Sequence, residues 1–71
     1  MNLQIDTQEM KIRMARLGLS QRGLAEKSGV SRPTLSYLMN GKRVSPAVAG
    51  RISAALGCDV TEIVMHKGED R

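Results

Sequence analysis

The sequence predicts an all-α fold, a compact bundle of five short helices, from two observations. Apolar residues recur at the three- and four-residue spacing that lines one face of a helix. Between these stripes, glycines fall where a helix must end, and Ser, Asp or Thr falls where one must begin.

The elements follow in order. Residues 1–6 (MNLQID) are an extended or frayed arm. Asp6 or Thr7 offers the first N-cap oxygen, and Glu9 places negative charge in the first turn, where the helix dipole favours it. Met10, Met14 and Leu17 then share one face, which sets helix 1 at about 7–17, closed by Gly18. Lys11, Arg13 and Arg16 lie off that face, in water or near a phosphate. Ser20 caps helix 2, which runs to about Ser28 with Leu24 and Ala25 inward, and Gly29 ends it. Gly23 is anomalous, because a mid-helix glycine costs about 0.5–1 kcal/mol relative to alanine. Ser31 caps helix 3 (about 31–39), with Pro33 in its first turn and Leu35 and Leu38 inward. Asn40-Gly41 ends it. Ser45-Pro46 opens helix 4, whose stripe is Val48, Ile52, Ala55 and Leu56, and Gly57 closes it. Asp59-x-x-Glu62 has the form of a capping box for a helix 5 at about 60–66, carrying Val60, Ile63 and Val64. No strands are expected, and the tail HKGEDR is expected to lack structure.

Length and charge narrow the function. A chain of 71 residues implies one domain, 1–71, with an ordered core at about 7–65 and flexible termini. A core of that size rarely supplies more than about 3–5 kcal/mol. It leaves little room for an enzyme pocket, and no nucleophile, base and orienter stand in a catalytic pattern. The net charge is +4, unevenly placed: residues 11–51 hold nine basic side chains and one acidic one, Glu26, while both ends are net negative. Such a basic middle suggests a side that faces a polyanion; a solvated basic surface is the alternative. A single Cys58 rules out an internal disulfide, and one thiol with a distant His66 makes no metal site. No signal peptide or membrane-length apolar run is visible, so a cytoplasmic protein without cofactor, metal, small-molecule ligand or membrane partner is expected.

Residues 20–43 (SQRGLAEKSGVSRPTLSYLMNGKR) read as two short helices joined by a tight turn, a helix-turn-helix, in which the second helix enters the DNA major groove. With LGLSQ at 17–21, LAEKSGVS at 24–31, LMNGKR at 38–43 and ALGCDVTEIV at 55–64, the chain resembles the Cro/C1-type helix-turn-helix domains of lambdoid phage repressors over about residues 8–65. The resemblance implies a lambda-repressor-like fold, with Gln21 on a DNA phosphate. It also implies Ser31, Arg32, Pro33, Ser36 and Tyr37 at base-reading positions, and Asn40 to Arg43 along the sugar-phosphate backbone. Helix 5 often joins a two-fold dimer in this family. One departure is notable: many members pair an arginine in helix 1 with a glutamate ending helix 3, and Met14 and Met39 stand there instead.

The residues themselves support part of this. Arg32 at the start of helix 3 has the geometry to bond guanine O6 and N7; a phosphate contact or a solvated guanidinium is the alternative. Pro33 offers apolar contact to a thymine methyl. Tyr37, the only aromatic residue, can pack on a methyl, bond a phosphate or stand free. Lys42 and Arg43 supply sequence-independent affinity by counterion release, and Arg22 is a further backbone candidate. Val64 and Met65 are candidates for a dimer or partner interface. The expectation is therefore a sequence-specific transcriptional regulator, a repressor that binds double-stranded DNA as a homodimer. The alternative is a protein-interaction module of the same fold, a modulator of a partner repressor or an antitoxin.

Overall fold

The computed structural model describes residues 1–65. The chain runs β1 (Leu3–Gln4), α1 (Thr7–Leu17), α2 (Gln21–Ser28), α3 (Arg32–Met39), β2 (Arg43–Val44), α4 (Pro46–Leu56) and a 3₁₀ turn (Val60–Glu62). The tail 66–71, and with it the expected last residue of helix 5, lies outside the described residues.

Each α-helix starts on a side-chain oxygen that takes an amide three residues on. Asp6 accepts from Glu9 N at 3.1 Å, Ser20 from Gly23 N at 3.0 Å, and Ser31 and Ser45 from Thr34 N and Val48 N at 3.3 Å. These bonds satisfy amides that the helix itself leaves open, which fixes the first residue of each element. At the far end of α1, Gly18 adopts φ +68° and Leu19 N donates to Met14 O at 2.9 Å. Gly57, with φ +73°, ends α4 in the same way, Cys58 N donating to Ser53 O at 3.1 Å. Both are Schellman closures, in which the residue after the glycine folds back onto the core. The thiol of Cys58 is thereby half-buried; burial pushes its pKa up, against the pull of Arg13. A raised thiol pKa keeps the group in its less reactive thiol form.

The core gathers around α4, which packs against α1, α2 and the 3₁₀ turn. Its Ala49 and Ile52 are fully buried, with Met10, Leu24, Leu38 and Ile63 around them. Ala25 on α2 and Ala49 on α4 are both buried, and the two helices pack together. The one buried polar side chain among the described residues, Ser53, donates to Gly50 O at 2.9 Å.

Four expectations need correction. Among the described residues the bundle has four α-helices, and in place of the fifth stands a 3₁₀ turn. Asp59 accepts from Thr61 N at 3.0 Å and from the Thr61 hydroxyl, a two-residue reach instead of a capping box. Glu62 is drawn instead to Arg13, 2.9 Å away. The chain then leaves the helical path because Ile63 O accepts from Asp6 N at 2.6 Å and Met65 N donates to Gln4 O at 2.8 Å. Second, strands are present. β1 pairs antiparallel with β2, Leu3 opposite Val44 and Gln4 opposite Arg43, and Ile5 bridges Val64 on the other side. Third, the ordered core begins before residue 7: of the extended or frayed arm expected over 1–6, residues 3–6 are extended and lie between two chain segments, and Ile5 is 1% exposed. Fourth, the apolar stripes shift at two places. Leu17 is 49% exposed and Leu19 packs on the core in its stead, carried there by the Gly18 turn. In α4, Val48 is half-buried while Ala49 takes the inner position.

Candidate nucleic-acid interface

The turn between α2 and α3 is built from local bonds. Gly29 takes φ +76° and donates to Ala25 O at 2.9 Å. Ser28 Oγ accepts from Val30 N at 3.2 Å and donates to Ala25 O at 3.4 Å. Val30 then drops into the core at 4% exposure. With Leu35 and Leu38 also buried, the rotation of α3 is fixed. Its outer face must carry Arg32, Pro33, Ser36 and Tyr37, and all four are exposed. Thr34 and Met39 sit at the margins, half-buried.

The candidate residues fall into three groups. On α3, Arg32 is the first helical residue and makes no ion pair among the described residues. Its charge is therefore available to an outside acceptor. Ser31 is the cap, and its hydroxyl is already committed: it accepts from Thr34 N and donates to Thr34 Oγ1 at 2.9 Å. What remains is a lone pair able to accept from a base amino group. On α2, Gln21 is the first helical residue and exposed, while Arg22 stands 3.6 Å from Glu26, both side chains largely in solvent. After α3, Asn40 is the C-cap, Gly41 takes φ +84°, and Lys42 and Arg43 follow, exposed and without ion pairs among the described residues.

A feature that the sequence did not disclose holds this last loop. Gln4 Nε2 donates to Gly41 O at 3.0 Å, and Gln4 is the register partner of Arg43. The N-terminal strand thus braces the turn that presents Lys42 and Arg43, from 37 residues away in sequence. A polar residue in a short arm carries no signal of that role.

Two residues, Arg13 and Gly23, depart from expectation. The helical spacing puts Arg13 off the apolar face, in water or near a phosphate. Instead its guanidinium joins α1 to the 3₁₀ turn, with Glu9 and Glu62 each at 2.9 Å and only 22% of the side chain exposed. It is a structural cation. Gly23, anomalous as a mid-helix residue, lies in the first turn of α2, where its amide serves the Ser20 cap. A Cβ there would meet Leu19 Cδ2 and Ser20 Oγ at 3.4 Å, ordinary contact, so nothing within the chain demands glycine.

Val64 and Met65 are not on a helix. Val64 is half-buried in the bridge to Ile5, and Met65 is 45% exposed beyond it. Met14 is buried, and Met39 packs at the margin of the core. No group of three His, Cys, Asp or Glu side chains among the described residues is placed to hold a metal ion. No helix among them is long and apolar enough to cross a membrane.

Between α2 and the start of α3 lies an open notch of about 270 Å³, floored by Ala25 and Val30 and walled by Arg22, Glu26, Ser31 and Arg32. No curated protein matches the chain. A family model described as helix-turn-helix, of the Cro/C1 type, matches residues 10–63, which run from the first buried methionine of α1 to the buried Ile63. With its caps, glycine turn and solvent-facing third helix in that frame, the chain belongs to the Cro/C1-type helix-turn-helix family of DNA-binding domains.

Proposed function

We propose that this protein is a sequence-specific transcriptional regulator, a cytoplasmic phage or bacterial repressor that places α3 in the major groove and occludes a promoter. The observation that carries this reading is the outer face of α3. Arg32, Pro33, Ser36 and Tyr37 stand exposed together on a helix whose rotation is fixed by Leu35 and Leu38. Arg32 at its N-terminal end makes no ion pair among the described residues and suits a guanine O6/N7 pair. Gln21, Arg22, Asn40, Lys42 and Arg43 supply phosphate contacts that set register without carrying sequence information. Two copies, joined near Val64 and Met65, would read half-sites about 34–36 Å apart on a pseudo-palindrome.

Selection of bound duplexes from a random DNA pool tests this. Enrichment of a two-fold symmetric site, with a guanine whose preference disappears in Arg32→Ala, is the expected result. A pool that stays random through selection would overturn the reading.

A second reading has its own observation. Met65 at 45% exposure, and Ile12 and Leu17 on α1 at 44% and 49%, are apolar surface on a small chain. They favour a protein partner, as in a modulator or an antitoxin. Co-purification of such a partner with no enrichment of any duplex would favour this alternative.

A further inference from the structure

Glu26 is the only carboxylate between residues 11 and 51. It lies in the last turn of α2, the end at which the helix dipole disfavours negative charge. Its one ion pair among the described residues, to Arg22 one turn earlier, spans 3.6 Å with the two side chains 72% and 77% exposed. The order of the two charges along the helix is the less favourable one, and pairs so exposed contribute little to folding. Fold stability therefore does not account for this carboxylate. Its position is more informative: Glu26 and Arg22 wall the notch that opens onto Ser31 and Arg32, beside the proposed reading end of α3.

We propose that Glu26 is a specificity-determining residue acting through Arg22, an intramolecular stand-in for a DNA phosphate. Its carboxylate occupies the guanidinium and lays negative charge along an otherwise basic face. Both effects subtract from sequence-independent affinity and leave target choice to the base contacts of α3. Arg22 reaches a phosphate only by exchanging one anion for another, which discounts its contact relative to that of an unpaired cation. Glu26 is a positioning residue here, since it need touch no base. The inference rests on the proposed DNA reading.

Glu26→Gln keeps the shape and one acceptor oxygen and removes the charge. Affinity is measured by fluorescence anisotropy on a duplex selected from the random pool and on an unrelated duplex of equal length, from 50 to 200 mM salt. Glu26→Gln is expected to bind both duplexes more tightly than wild type at 50 mM salt. One added phosphate contact steepens the slope of log K against log salt by about 0.9, so the gain shrinks roughly three- to fourfold by 200 mM. Arg22→Ala should remove most of the gain in the Glu26→Gln background, a coupling that only a shared interaction produces. Circular dichroism melts of the variants check that these exposed substitutions leave the fold intact. Unchanged slopes, or a gain that survives Arg22→Ala undiminished, overturn the proposal. A loss confined to the selected duplex also overturns it, because the carboxylate would then be touching a base. Wild-type protein that binds neither duplex at 50 mM salt sinks the DNA reading itself, whereas a binding wild type with an indifferent Glu26→Gln sinks this inference alone.

Discussion

Replacing Ile5 by alanine asks whether residues 3–6 belong to the core. The side chain is 1% exposed, bridged to Val64, and flanked by the hydrogen bonds Asp6 N to Ile63 O and Met65 N to Gln4 O. The change deletes three buried carbons, a transfer loss of roughly 2.4 kcal/mol at about 0.8 kcal/mol each. The residual cavity adds to this, and measured Ile→Ala costs in cores run about 2–5 kcal/mol. Against the roughly 3–5 kcal/mol that a core this small supplies, the variant should lose most of its stability. At about 4–8 °C per kcal/mol for a domain of this length, Tm should fall by at least about 10 °C. Urea unfolding followed by circular dichroism gives the midpoint and the slope together. The expected result is a large drop in midpoint with the slope retained, while Met1→Ala, at a residue 92% exposed, stays within about 0.5 kcal/mol of wild type. If Ile5→Ala also stays within that margin, the strand is a passenger and the account of the core is wrong.

Gly23→Ala should stabilise the protein by about 0.5–1 kcal/mol, because the position is helical and the new Cβ finds only ordinary contacts at 3.4 Å; a lower urea midpoint would refute this. The Thr61 hydroxyl and amide hold the Asp59 carboxyl below its usual range. A depressed folded-state pKa gives stability that is present above the unfolded value near about 3.9 and lost as pH falls through the folded one. The advantage of wild type over Asp59→Asn should therefore shrink below about pH 4, and a difference constant from pH 7 to pH 2 would contradict that cause. Lys42→Ala should weaken binding to all duplexes alike and lower the salt slope by about one phosphate contact; a site-selective loss would show that Lys42 touches a base.

The four α-helices were legible because their boundaries are local chemistry. Ser20, Ser31 and Ser45 each bind an amide three residues on, and Gly18, Gly29 and Gly57 each take positive φ. Those requirements are written within five or six residues of sequence. The outward face of α3 was legible for a related reason: burying Leu35 and Leu38 leaves only one way for Arg32, Ser36 and Tyr37 to point. What the sequence concealed depends on residues far apart. A two-residue strand has no periodicity, so β1 is defined only once Val44 lies opposite Leu3. The Glu62 that suggested a capping box is claimed by Arg13, 49 residues earlier, and the loop of Lys42 and Arg43 is braced by Gln4. Leu17 and Leu19 exchange places because the Schellman turn redirects the chain after Gly18, a geometric effect that helical spacing alone does not contain.

The central claim is that α3 reads base edges through Arg32. Competition binding of Arg32→Ala on the selected duplex and on the same duplex with its guanine replaced tests it most directly. Wild type should discriminate between the two by about 1–3 kcal/mol, and Arg32→Ala should bind them equally while keeping its affinity for unrelated DNA to within one phosphate contact. Discrimination that survives the loss of Arg32 would contradict the claim and move the reading surface elsewhere on the molecule.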